Sequence, residues 1–283
     1  RHSLLNGSFT GYADLRRYNV IIMPSGYLEM SNYEVNALND WIKQGGTLIA
    51  HNRSSRFIAS NETLGEVKQL QDVLDKSIDY NFDLLREIYS LEDNLDQEAV
   101  LNNIVDLETT YPWELNESNY SEDELKNRDR WQSIFMPSGA FVAGRTDQKH
   151  WLTFGTPKTL PVLYGNYPVL MTGNNAEAPI RIGELVENSD VNEFRTINWS
   201  TLPAGKDIKV RMSGLVWPEA AQRIANSAYL TRERVGKGQI ILFAGEPNFR
   251  GSTRGTNRVW LNAVVYGPGS VSYTHLRAHE TCT

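Results

Sequence analysis

Residues 18–50 restrict the possible folds more than any other stretch. Tyr18-Asn19-Val20-Ile21-Ile22-Met23 is a short apolar run closed by Pro24-Ser25-Gly26, the pattern of a buried strand. Ser31 precedes Glu34 by three residues, the spacing of a capping box at a helix start. Val35, Leu38, Trp41 and Ile42 then recur at helical spacing, and Gly45-Gly46 ends the helix, since glycine accepts the backbone of a C-cap. Thr47-Leu48-Ile49-Ala50 is a second buried strand. Strand, helix, Gly-Gly and strand form a βαβ unit, which requires parallel pairing and a right-handed crossover. The chain is therefore expected to be α/β, a mostly parallel open sheet flanked by helices.

The pattern changes between residues 61 and 135. Leu64, Val67, Leu70 and Leu74 are spaced for an amphipathic helix. A polar, acidic stretch follows that includes Glu114-Leu115-Asn116-Glu117 and Glu122-Asp123-Glu124. With little apolar surface to offset ordering entropy, this region is expected to be a surface insertion. Strands are predicted again at residues 139–143, 161–164, 169–171 and 208–212, and a helix at 218–226. The clearest hairpin joins residues 228–234 to 239–244 through Val235-Gly236-Lys237-Gly238, where the glycines accept positive φ. Its Gly-Lys-Gly lacks phosphate-loop spacing and joins two strands, so it is not read as a nucleotide site. A last helix begins near Thr256, and Pro268 is expected to stop it.

Val271-Ser272-Tyr273-Thr274-His275-Leu276-Arg277-Ala278-His279-Glu280-Thr281 resembles the translation of a transposase adapter used in sequencing libraries. The natural domain is accordingly expected over 1–270, with 271–283 a non-native tail. The first residues hold neither an initiator Met nor an apolar leader core, so the chain is read as a piece of a larger protein. Cys282, the one cysteine, falls in the tail, which leaves no thiol for disulfides or nucleophilic chemistry in the domain. The formal net charge of -6 does not suggest a nucleic-acid partner, and no apolar run approaches the roughly 20 residues of a membrane-spanning helix.

Three segments carry a family resemblance. They are residues 18–26; Trp41-Ile42-Lys43-Gln44-Gly45-Gly46-Thr47-Leu48-Ile49-Ala50; and a C-terminal block with Val235-Gly236-Lys237-Gly238-Gln239-Ile240-Ile241-Leu242-Phe243-Ala244-Gly245-Glu246-Pro247-Asn248-Phe249-Arg250 and Gly255-Thr256-Asn257-Arg258. Together they resemble the C-terminal domain of bacterial zinc carboxypeptidases, which is similar in fold to flavodoxin-like class I glutamine amidotransferases. The C-terminal block is also similar to trehalose-utilisation-like domains and the middle domain of some β-galactosidases. The first resemblance implies a non-catalytic accessory domain of an exported, periplasmic or extracellular enzyme, covalently linked to an N-terminal peptidase module that holds the zinc. No His-x-x-Glu zinc motif occurs here, so neither zinc nor another cofactor is expected in this chain. The second implies a carbohydrate- or small-molecule-binding module.

No catalytic residue is assigned. In an amidotransferase-like fold the nucleophile follows a strand at a sharp turn. Here residues 47–50 lead into His51-Asn52-Arg53-Ser54-Ser55, with no cysteine and no Gly-x-Ser-x-Gly. Ser54 or Ser55 with His51 as base is the one hydrolytic arrangement open to it. Open α/β sheets bind ligands at their C-terminal edge. That edge would carry Ser25, His51, Asn52 and Arg53, with Glu246, Asn248 and Arg250 after the last strand. Arg250 and Arg254 offer guanidinium groups for a carboxylate or phosphate; the alternative is that Asn248, Phe249 and Arg250 only shape the loop. A peptide or glycan is the ligand class left open for the domain. Trp113, Trp131, Trp151, Trp199, Trp217 and Trp260 are scattered along the chain and are read as packing residues rather than a sugar platform.

Overall fold

The computed structural model describes residues 3–4, 14–91, 121–190 and 193–280, with the backbone alone over 271–280. His2, Trp113, the acidic residues 114–120 and Cys282 lie outside the described residues.

The βαβ unit forms as its sequence requires. β1 (Val20–Met23) and β2 (Thr47–His51) pair in parallel, with α1 (Asn32–Lys43) between them. Ser31 caps α1: its Oγ accepts from Glu34 N at 3.4 Å, while the Glu34 carboxylate accepts from Ser31 N at 2.7 Å. β2 is buried throughout and is followed at once by α2 (Arg53–Ala59). The predicted hairpin is β13 (Ala228–Val235) with β14 (Gly238–Phe243), and β14 lies parallel to β2.

The expected open α/β sheet with flanking helices is present, and the ten-stranded sheet is mixed. Its main order is β1-β2-β14-β13, then residues 176–182 (β7), 140–146 (β4) and 211–213 (β12). Parallel pairing is confined to β1, β2 and β14, and antiparallel ladders carry the sheet onward. β4 (Ala140–Thr146) pairs with β5 (Thr159–Tyr164) and β12 (Arg211–Ser213). β7 (Ala176–Ile182) sits between β13 and β4. It is central, yet it contains Glu177, Pro179 and Arg181, and register shifts interrupt its pairing with β13. Proline inside a central strand is tolerated at such irregularities.

The reading of Leu64, Val67, Leu70 and Leu74 as an amphipathic helix needs correction. Leu64, Val67, Leu70 and Leu74 are all buried in the main core. They do not form a helix but a short strand β3 (Lys68–Gln69) and two 3-10 turns, Leu70–Asp72 and Leu74–Lys76. The cause is a long-range contact: the Glu233 carboxylate on β13 accepts from Glu66 N at 3.0 Å and Val67 N at 3.4 Å, which holds the segment extended. α3 (Ser77–Leu91) and α4 (Glu122–Ser133) then pack Leu84, Leu85, Ile88 and Leu125 inward. A second correction concerns α6 (Arg254–Glu280), which continues through Pro268 instead of ending there. Gln239 of β14 ties that part of the helix to the sheet, donating from Nε2 to Gly267 O at 2.8 Å. α5 (Pro218–Ile224) falls where its sequence predicts.

Candidate functional site at the sheet edge

The joint between β2 and α2 is a single residue, Asn52, with φ 45 and ψ -107. A non-glycine residue in this region is strained by about 1–3 kcal/mol. A strained strand-to-helix turn is the geometry that presents the nucleophile in elbow-type hydrolases. Here the position holds a carboxamide, which is not a nucleophile. Asn52 N donates to Phe243 O at 3.0 Å, joining the elbow to β14.

The neighbouring hydroxyls are committed elsewhere. Ser54 Oγ donates to Pro24 O at 2.6 Å and Ser55 Oγ to Phe243 O at 2.8 Å, and both residues are fully buried. His51 is 5% exposed. Its ring meets Phe243 edge-on, and its Nε2 accepts from Trp260 Nε1 of α6 at 3.0 Å. Burial pulls its pKa down to about 4, so the imidazole is neutral near pH 7. A Ser-His dyad is therefore not assembled: the base serves an indole, and the serines serve backbone carbonyls.

Arg53 is exposed on the first turn of α2, and Ser25 lies half-buried in the loop after β1. Past β14, Arg250 adopts φ 48 and lays its guanidinium 5.2 Å from the Phe249 ring. Thr256 Oγ1 donates to Pro247 O at 2.6 Å and pairs with Thr253 Oγ1, pinning this loop to the start of α6. The Asn248–Arg250 stretch thus shapes the entry into the helix. None of Ser25, His51, Asn52, Arg53, Glu246, Asn248 or Arg250 lines the cavities of about 160, 250 and 640 Å³.

The 160 Å³ cavity lies at the same sheet edge, beside α2. Arg56 from α2, Arg223 from α5 and residues 166–169 form much of its wall. A Cβ built on Gly245, just after β14, would stand 2.8 Å from the Tyr167 ring, so the cavity adjoins the strand ends. Sequence reading missed it because its residues come from five separate segments. The 250 Å³ cavity lies over β7 and α3, and its charges are matched. Arg181 makes a bidentate pair with Glu87 at 2.7 and 2.6 Å. Glu177 meets His150 at 3.1 Å and Arg232 at 2.9 Å. Burial opposes ionisation of Glu177, but these two partners outweigh it and hold its pKa at about 2. The 640 Å³ cavity mixes Glu62, Glu66, Asp72 and Asp75 with Lys68 and Lys76. Among the described residues no three His, Cys, Asp or Glu side chains converge as metal ligands, and no helix is long and apolar enough to cross a membrane.

No family model matches the chain, and no curated protein matches it. Among solved structures it is similar to a cytoplasmic protein of Salmonella typhimurium, at 10% identity and TM-score 0.38 over 89% of this chain and 73% of that one. It is also similar to a putative ThuA-like protein of Bacteroides uniformis, at 11% identity and TM-score 0.39 over 92% and 74%. A β-galactosidase of Bacillus circulans is 12% identical with TM-score 0.38, over 91% of this chain and 23% of the enzyme. Likenesses this distant assign neither a family nor an activity.

The tryptophans are not all packing residues. Trp199 is buried, and Trp151 and Trp260 pack against the core. Trp131 and Trp217, however, are 59% and 50% exposed. Phe135 stands between them, edge-on to both, with ring centroids 5.2 and 6.3 Å away. These rings come from the end of α4 and the residue before α5, positions 86 residues apart in sequence between Trp131 and Trp217.

Proposed function

We propose that this chain is a non-catalytic accessory and binding domain within a larger protein. The supporting observation is the elbow: its strained backbone is retained at Asn52, but a carboxamide stands in the nucleophile's place. His51, Ser54 and Ser55 are bound into the framework around it. The experiment is labelling of the intact chain with a fluorophosphonate serine probe. No labelling is expected; labelling that disappears in Ser54→Ala or Ser55→Ala overturns the reading.

The parent enzyme is read as an exported zinc carboxypeptidase, on the three segments of sequence resemblance. Zinc and peptide hydrolysis would then belong to the linked peptidase module, in a periplasmic or extracellular setting. Reading the genomic sequence upstream tests this. A peptidase module with His and Glu zinc ligands is expected, and an unrelated upstream sequence rejects the parentage.

A second reading, a carbohydrate-binding module, is favoured by the exposed Trp131 and Trp217 with the half-buried Phe135 between them. Exposed aromatic faces offer an apolar body beside polar edges, which suits sugar stacking. Glycan-array binding that Trp217→Ala abolishes is the expected result. A blank array removes this reading and leaves the first intact.

A further inference from the structure

The 160 Å³ cavity at the sheet edge has an unusual charge balance for this molecule. The chain as a whole carries -6. Yet two guanidinium groups, Arg56 and Arg223, line this cavity, and no Asp or Glu does. Both arginines act electrostatically on the buried Tyr164 phenol, which places their charges in one neighbourhood.

The two arginines differ in how they are held. Arg223 is 8% exposed. It donates from Nε and Nη2 to the Asp129 carboxylate at 2.8 and 3.2 Å. This pair fixes the guanidinium and leaves Nη1 for another acceptor. Arg56 is exposed and makes no hydrogen bond or ion pair among the described residues. Asp129 thus neutralises one cation, and the other has no counter-charge. Two further acids stand behind the wall: Asp72, whose carboxylate is 3.5 Å from Gln69 Nε2, and Glu246, which acts on Tyr167. The remaining polar groups come from separate directions: Asn166 and Tyr167 from one loop, Gln71 from the 3-10 turn after β3, and Ser133 from the end of α4.

We propose that this cavity binds a tetrahedral oxyanion, the phosphoryl group of a small phosphorylated ligand. Arg56 supplies the uncompensated charge and Arg223 a pre-oriented donor. A carboxylate is planar and is satisfied by a single bidentate arginine. Donors that converge from α2, α5 and the 166–169 loop suit an anion with oxygens in several directions. The volume suits one phosphoryl group and a few attached atoms, not a nucleotide. The proposal takes from the preceding section only that the domain binds rather than catalyses. Serine-probe labelling tests that point separately, so either can fail alone.

The test is isothermal titration calorimetry of the full chain with inorganic phosphate at fixed ionic strength. Acetate is the planar control. The variants are Arg56→Gln, exposed and free of structural bonds, and Lys237→Gln, a charge removed from the hairpin turn far from this edge. Saturable one-site phosphate binding is expected, weakened about tenfold or more in Arg56→Gln and unchanged in Lys237→Gln. Equal melting temperatures of the phosphate-free proteins show that Arg56→Gln remains folded. The assignment is overturned by an absence of saturable binding, by equal affinity in wild type and Arg56→Gln, or by acetate binding as tightly as phosphate.

Discussion

At the scale of single residues, the elbow ties β2 to β14 and α6, and two consequences can be measured. Burial lowers the His51 pKa to about 4 from the ordinary imidazole value of 6.5. Below about pH 6.5 the unfolded chain takes up a proton that the folded chain refuses until about pH 4. The contribution of neutral His51 is therefore complete above pH 6.5 and is lost as the pH falls through that window, up to about 3 kcal/mol in all. Protonation would also remove the acceptor that Trp260 uses. His51→Gln, which keeps an acceptor but does not titrate, should flatten the acid side of a melting-temperature profile between pH 6.5 and 4. An unchanged profile would contradict this. Asn52 bears the strain of φ 45 and ψ -107, which glycine accepts without a side-chain clash. Relief of about 1–3 kcal/mol of strain exceeds the roughly 0.5–1 kcal/mol by which glycine favours the unfolded chain. Asn52→Gly is expected to raise the urea midpoint by about 1 kcal/mol equivalent; a lower midpoint refutes the strain.

At the scale of elements, the β13–β14 hairpin turn is a packing device. A Cβ on Gly238 would lie 2.0 Å from Ile42 O and 2.4 Å from Gly46 O, both backbone atoms. The end of α1 therefore rests directly on the start of β14. Gly238→Ala should cost about 2–3 kcal/mol by denaturant unfolding, as overpacking against backbone does, whereas Lys237→Ala should be near neutral. The elements legible in the sequence, α1 with its capping box, β1, β2 and this hairpin, share one property: their partners are local or repeat a strong apolar pattern. β7 was not legible. Glu177, Pro179 and Arg181 disguise a central strand as a loop, because their polar groups are paired by residues far along the chain. The same limit hid the 160 Å³ cavity and the Trp131–Phe135–Trp217 cluster. Conversely, of the edge residues that the sequence singled out, Ser54 and Ser55 spend their hydroxyls on backbone carbonyls, His51 serves an indole and Arg250 lies against the Phe249 ring.

At the scale of the molecule, two ion pairs, one buried on both sides and one with its carboxylate half-buried, fasten α3 and α4 to the remainder of the fold. Arg181 of β7 is 3% exposed and is matched by Glu87 of α3. Asp129 of α4 meets Arg223 of α5 in the same way. Each pair spans 94 residues of sequence. Arg181 stands directly across from Arg145 on β4, so without Glu87 two guanidinium groups would face each other with no carboxylate between them. Removing one partner of a buried pair strands the other charge, whereas replacing both with apolar residues of similar size is often neutral. Glu87→Ala is therefore expected to destabilise the whole domain by about 3–5 kcal/mol, and Glu87→Leu with Arg181→Met to recover most of that loss. Because Leu64, Leu70, Leu84 and Ile88 belong to the same core as β2 and β14, far-ultraviolet circular dichroism and tryptophan fluorescence should report one shared transition in urea for each protein. An early, separate loss of helix signal in Glu87→Ala would instead mean that α3 is an independently melting attachment, and that the ion pair holds the segment without supporting the core.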